Sequence, residues 1–479
     1  MKKRGQTPIS ALFPALRVAA ISVFIAAWFL SHSWRGLYIY FSPDDIMNLY
    51  GAFRVPVGRL LLENVFPFTT GYRPLGTAFY RIFFTLFDLN PIPFRIGVYI
   101  LMMVNVALLY RIARKLSGSI EIGVLSALLY SFHPGLTDLY LNGGTVYDVL
   151  CACFYFATLD YYISIRERQM SLRGRQWVVF CALTVAALNS KETAATLPVL
   201  LLVYELVYHR APPRVLSAVW VAGIISVGTI VARLREGSPL IHNADYALHL
   251  GVRQFFRSNA SFLGTLFLLP DHTLGIASVA ALCLLLFSIA FASRSKCLQF
   301  CAFLVLLAPL PVNFINPRGL YAVYIAVGGW AIYLSALCVN LRDWLYCRLW
   351  NRPALSPSAL EPERVFSFLF ALVLLSAAYS TAPPIPWSDY GRAHSDLYHF
   401  HADILRVQPS IAPGSKTLFL NDPFPPGEWW TEMVYGLTYR DPSLQVDRVK
   451  KMPTQPPEAE YQYVFDYKDG QIVRIKPAS

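Results

Sequence analysis

Asp44 and Asp45 stand side by side in "SPDDI", directly after an apolar run long enough to cross a bilayer. Two adjacent carboxylates at a membrane repel each other and lose hydration, so their presence calls for a role. Further along come Arg73 in "YRPLG", His133 and Asp138 in "HPGLTD", Asp148, Lys191 and Glu192 in "NSKET", and Arg318 in "NPRGLY". Two guanidinium forks and one compact ammonium suit a phosphate. An aspartate suits a general base that takes a proton from a hydroxyl. With a donor held in the bilayer, such a set fits transfer of a sugar from a polyprenyl phosphate to an acceptor hydroxyl. The lipid phosphate is an acceptable leaving group once cations stabilise its developing charge. A glycosidase would need a second carboxylic acid to protonate its leaving group. On this reading Asp44 is the base, and Asp45 orients it, holds the acceptor or binds a metal.

These residues must be positioned by helices in a membrane. The chain has 479 residues, of which 15% are charged, against about 25% in a soluble domain. Its mean hydropathy is +0.44. About eleven stretches have the length and apolarity of a span: 15–33, 95–112, 119–135, 146–164, 176–190, 193–209, 215–233, 273–292, 297–315, 319–339 and 365–382. A shorter run, 259–270, reads as re-entrant. The first run lacks a small-residue cleavage site after it and reads as a retained helix. The eight cysteines lie in or beside apolar segments without a CxxC pair, and read as small buried hydrophobes. The net charge of +12 is explained by basic loops facing anionic lipid, with no nucleic acid.

Basic loops also orient the chain. "RIARK", "RERQMSLRGR", "HRAPPR", "SRSK" and "LRDWLYCRLWNR" share a side with the N-terminal "MKKR", which the positive-inside rule places in the cytoplasm. The C-terminus then lies outside, together with every residue named above. The expected fold class is an α-helical polytopic membrane protein with a small α+β region at the extracytoplasmic C-terminus. Residues 1–382 form the transmembrane domain, with a long first outer loop at 34–93. Within that loop "YRPLGTAFYRIFFTLFDLNP" suits a helix lying in the membrane interface. Residues 383–479 form the C-terminal region. There "SDLYHFHADILRV" and "WWTEMVYGLTYR" read as amphipathic helices, and "KTLFLND", "LQVDRV" and "YQYVFDYKDGQIVRI" as strands, the last a hairpin turning at Lys468-Asp469-Gly470.

Each polar residue also has a plain structural use. An aspartate in "SPDD" caps a helix. Arg73 and Lys191 can face lipid headgroups, and Lys191 can pair with Glu192 at a turn. His133, Asp138 and Asp148 can satisfy loop backbone, and Arg318 stands at the start of a helix.

In order and spacing, "SPDDI", "YRPLGTAFYRIFFTLFDLNPIPFRIGVYILMMVNVALLYRIARKLSG", "SFHPGLTDLYLNGGTVYDVL", "ALNSKETAATLPVLLLVYEL" and "PRGLYAVYIAVGG" resemble the GT-C class of membrane glycosyltransferases. In particular they resemble the protein O-mannosyltransferase-like group that includes the transmembrane-and-tetratricopeptide-repeat mannosyltransferases. The likeness covers roughly residues 15–340. It implies that Asp44 and Asp45 are the catalytic acidic pair and that Arg73, Lys191 and Arg318 bind or support the donor phosphate. It implies that His133, Asp138 and Glu192 shape the site. Pro317 stands where the family has glutamate, the tetratricopeptide repeats are absent, and the C-terminal tail differs.

The expected activity is therefore a glycosyltransferase using a polyprenyl-phosphate-linked sugar, in a bacterial inner membrane, with a protein, lipid or glycan acceptor. A divalent metal, Mg or Mn, stays open as a cofactor. The rival class is a transporter or flippase for a lipid-linked anion. A transporter would place its polar groups near the bilayer midplane, on broken helices in two related halves. Here they gather at one face. A scaffold presenting the C-terminal region is a third reading.

Overall fold

The computed structural model describes residues 8–66, 68–69, 71–168, 171–209, 216–235, 247–270, 273–350, 362–381 and 387–476. It is a mainly helical protein with one small sheet near its C-terminus. Each of the eleven apolar stretches holds a helix. Pro91–Ser117, Gly143–Arg168, Lys296–Asn313 and Leu320–Leu349 are long and apolar enough to cross a membrane. Ile120–Ser131, Ser217–Arg233, Ile276–Ala292 and Phe368–Ser380 are apolar but shorter. These helices make the chain an integral membrane protein; the count of eleven crossings rests on the sequence alone. Residues 259–266 of the run read as re-entrant lie in an amphipathic helix, Val252–Leu266.

Helix Gly143–Arg168 is the axis of the bundle. Its apolar window is 78% buried, whereas that of Pro91–Ser117 is 44% buried. The second helix shows why: Ile92, Ile96, Ile100 and Val104 recur every fourth residue on its exposed side. Phe94, Val98, Met102 and Leu109 face inward. A helix with one apolar stripe on protein and another facing out suits the rim of a membrane bundle. Asn90 starts it by accepting the Ile92 N–H at 3.1 Å, and Gly118, in the left-handed region at φ 70°, ends it.

Ion pairs occupy both ends of the axial helix. Near its start, Asp148 meets Lys191. Near its end, Asp160 takes Arg111 and Lys115, and Arg166 takes buried Glu205 at 2.6 Å. Asp148 and Arg166 are eighteen residues apart, or about 27 Å of helix, close to the thickness of a hydrocarbon core. The ion pairs of this helix thus lie toward its two ends. Asp44, Arg73, Asp148, Lys191 and Arg318 lie toward one of them, called the site face below.

Two short helices, Pro43–Arg54 and Val57–Val65, lead to a third, Pro74–Phe87, on the site face. The C-terminal region covers part of this layer. Its strands β1 (Lys416–Phe419), β2 (Gln445–Arg448), β3 (Tyr463–Lys468) and β4 (Gln471–Lys476) form one sheet in the order β2-β1-β3-β4. The first two pairings are parallel and the last antiparallel. Asp469 and Gly470, both at positive φ, make the expected hairpin turn. Buried Arg448 on β2 holds Asp422 with bonds of 2.7 and 2.8 Å. Helix Trp430–Thr438 packs on Pro43–Arg54, and a Cβ at Gly436 would stand 3.0 Å from the Tyr50 ring. Tyr40 meets His401 at 2.9 Å, and Arg440 meets Asp88 at 3.1 Å.

Candidate active site

The acidic pair begins helix Pro43–Arg54. Ser42 is its N-cap: its hydroxyl accepts the Asp45 N–H at 3.1 Å, and Asp45 Oδ2 accepts the Ser42 N–H at 2.9 Å. Pro43 supplies the fixed φ of the first turn. This reciprocal box gives the two carboxylates different fates. Asp45, buried, also accepts Tyr80 at 2.8 Å, Arg95 at 3.3 Å and the Gly143 N–H at 3.2 Å. Asp44 is exposed and accepts Asn142 Nδ2 at 2.9 Å.

Asn142 opens the segment that joins this pair to the cations. Its side-chain oxygen accepts the Gly144 N–H at 2.8 Å and lies 2.8 Å from Ser42 Oγ. Glycine is required next. A Cβ on Gly143 would fall 2.1 Å from Asp45 Oδ1, and one on Gly144 would fall 2.6 Å from Asp44 Cβ. Three residues on, Tyr147 donates to Asn48 at 3.0 Å, and its ring lies 5.5 Å from the Arg73 guanidinium carbon. Its neighbour Asp148 accepts Lys191 at 2.6 Å. Seven consecutive residues, 142–148, therefore touch the candidate base and two candidate phosphate ligands.

The cations are held in place by acids. Arg73 meets Glu192 at 2.9 Å, and Arg233 reaches the other Glu192 oxygen at 3.4 Å. Burial raises the Glu192 pKa, but Arg73 and Arg233 outweigh it and set it at about 2. Arg73 itself has φ 49°, unusual for a residue before proline, and such backbone costs roughly 1–3 kcal/mol unless its surroundings hold it. Glu192 and the rings of Tyr72 and Tyr147 do so. Lys191 lies 5.7 Å from the Tyr321 ring, and Tyr321 hydrogen-bonds Arg318. Asp138 adjoins this corner: a Cβ at Gly319 would be 2.8 Å from its Oδ2. Arg73, Lys191, Glu192, Asp138 and Arg318 thus form one connected cluster.

His133 sits apart in role. Its Nδ1 accepts the Gly135 N–H at 3.0 Å, so Nε2 carries the proton and donates to the Leu266 carbonyl at 3.0 Å. It ties the "HPG" turn to helix Val252–Leu266. Asp45 is filled by protein donors, and among the described residues no three His, Cys, Asp or Glu side chains gather around a common point.

Sequence reasoning passed over Arg95, Tyr80, Asn142, Arg233 and His394. The "NGG" of 142–144 carried a signal, since consecutive glycines allow close backbone approach. Arg233 is the last residue of the 215–233 stretch. His394, beyond the bundle in sequence, is buried beside Tyr40, Asp45 and Arg95; burial and Arg95 hold its pKa at about 4.

Residues 71–233 match the dolichyl-phosphate-mannose-protein mannosyltransferase family. The matched stretch includes Arg73, His133, Asp138, Lys191 and Glu192, and it supports a GT-C mannosyltransferase-like protein. No curated protein sequence matches the chain.

Proposed function

We propose that this protein moves a sugar from a polyprenyl-phosphate donor to an acceptor hydroxyl on the extracytoplasmic side of a membrane. Asp44 takes the hydroxyl proton as the oxygen attacks the anomeric carbon. The bond from that carbon to the phosphate oxygen breaks, and its electron pair stays on the lipid phosphate. Arg73, Lys191 and Arg318 stabilise the added charge. Asp45 is a positioning residue that fixes the helix start and, through Gly143, the loop carrying Asn142. Glu192, Asp138 and His133 shape the surroundings.

The observation that carries this reading is the 142–148 segment, with Asp44 bound at one end and Asp148–Lys191 at the other. Fixed acid partners do not remove the cations from use. They hold them in place before the reaction, so little reorganisation is needed as charge develops. The bacterial inner membrane and an outward C-terminus complete the proposal, following the basic loops on the opposite face.

The test is transfer from a labelled polyprenyl-phosphate sugar in membranes carrying Asp44→Asn. Transfer should be abolished while the protein remains folded and inserted. Normal transfer would remove Asp44 from the mechanism.

A further inference from the structure

Helix Pro43–Arg54 shows solvent one narrow stripe. Asp44, Met47, Gly51 and Arg54 are exposed at spacings of three, four and three, while Asp45, Ile46, Leu49 and Ala52 are buried. The stripe runs from the candidate base to the far end of the helix. There it meets a cleft of about 510 Å³ between this helix and the C-terminal region. Such a volume is within the range of small-molecule sites, roughly 300–1,000 Å³. Tyr50 and Arg54 form one wall, and Trp429, Glu432, Gly436 and Asp441 part of the other. At 1.5 Å of rise per residue, Tyr50 is about 9 Å and Arg54 about 15 Å along the axis from Asp44.

The wall chemistry is specific. Lys451 lies 3.4 Å from the Trp429 ring centroid, covering one face, yet Trp429 remains 60% exposed where it lines the cleft. Glu432 is fixed by Lys451 at 2.8 Å, and Asp441 by the Ser443 and Gly414 N–H groups at 2.8 Å each. The Arg54 guanidinium lies over the Tyr50 ring at 5.6 Å. Carboxylates accept from hydroxyls, the guanidinium donates to them, and flat rings cover apolar C–H surface. Arg54 and Lys451 balance the two carboxylates, so the cleft has no excess positive charge to favour a phosphate. Gly51, with open space where a Cβ would stand, leaves the path to Asp44 low.

We propose that this cleft binds the carbohydrate chain of the acceptor, placing its terminal sugar hydroxyl at Asp44. This rests on the transferase reading above and names its acceptor class: a glycan extended by several sugars beyond the reacting one. Contacts so far from the reacting atom add binding that a single sugar cannot use.

The test uses the full chain in lipid nanodiscs. The probes are linear manno- and gluco-oligosaccharides, from mono- to hexasaccharide, and a Ser/Thr-rich peptide of similar length, with binding read by calorimetry. Binding should appear only with the longer saccharides. Glu432→Gln and Trp429→Phe should each weaken it about fivefold or more. Gly51→Leu, which enters open space and leaves the fold intact, should raise the acceptor KM with kcat little changed. Peptide binding without saccharide binding, no binding of any probe, or saccharide binding indifferent to these variants would overturn the proposal. The two readings fail separately. If Asp44→Asn keeps transfer while saccharides still bind, the catalytic assignment falls and the cleft stands. If Asp44→Asn abolishes transfer while the cleft variants change neither affinity nor KM, the reverse holds.

Discussion

Lys191 places its ammonium 2.6 Å from Asp148, and both side chains are almost wholly buried. A candidate phosphate ligand is therefore already half of an ion pair. Removing either partner leaves an uncompensated charge, a change that costs about 3–5 kcal/mol at buried sites. Asp148→Asn and Lys191→Met should each lower the melting temperature in detergent. The double variant should recover most of that loss without recovering transfer. A double variant no more stable than either single one would mean the pair is not coupled.

The two aspartates should separate cleanly. Asp44→Asn keeps the Asn142 contact available and removes only basicity, so transfer should fall by about 10²–10⁴-fold with an unchanged melting curve. Asp45→Ala removes the N3 half of the capping box and strands buried Arg95, so it should cut the yield of folded protein. Equal stability losses for the two would contradict their unequal burial.

Gly143→Ala and Gly144→Ala change no charge. Each nevertheless drives a methyl group into the acidic pair, at 2.1 Å from Asp45 Oδ1 or 2.6 Å from Asp44 Cβ. Both variants should lose transfer, and Gly143→Ala should also lose stability. Wild-type rates in either would show that the loop need not approach the pair so closely.

One buried histidine sets an acid limit. Burial and Arg95 lower the His394 pKa to about 4, below the ordinary value of 6.5. Its neutral form is favoured by the fold, so its stabilising effect is complete above pH 6.5 and is lost as pH falls from there toward 4. After correction for intrinsic exchange, amides near His394 should lose protection at pH 5 relative to pH 7. Glu192, at about 2, stays ionised across that window and should keep Arg73 in place. Unchanged protection at His394 would refute this.

Much of the architecture was legible because it follows from local chemistry. Apolar runs of sufficient length become helices in lipid, where every backbone group must be satisfied internally. Alternating segments such as "YQYVFDY" become strands, and "KDG" turns between them because Asp469 and Gly470 accept positive φ. Capping in "SPDD" was legible as well, although the cap interaction falls to Asp45 and leaves Asp44 outside it.

The sequence by itself determined that the chain enters a membrane, where its helices and strands lie, and which acids and bases share a face. Only the tertiary structure decided which of two adjacent aspartates is buried, which acid holds which cation, and that Asn142 and His394 belong near the pair. The physical reason is range. Helix periodicity and turn chemistry act within a few residues, whereas Asp44–Asn142, Arg73–Glu192 and Asp148–Lys191 join positions 98, 119 and 43 apart. Those partners were chosen by how the helices pack.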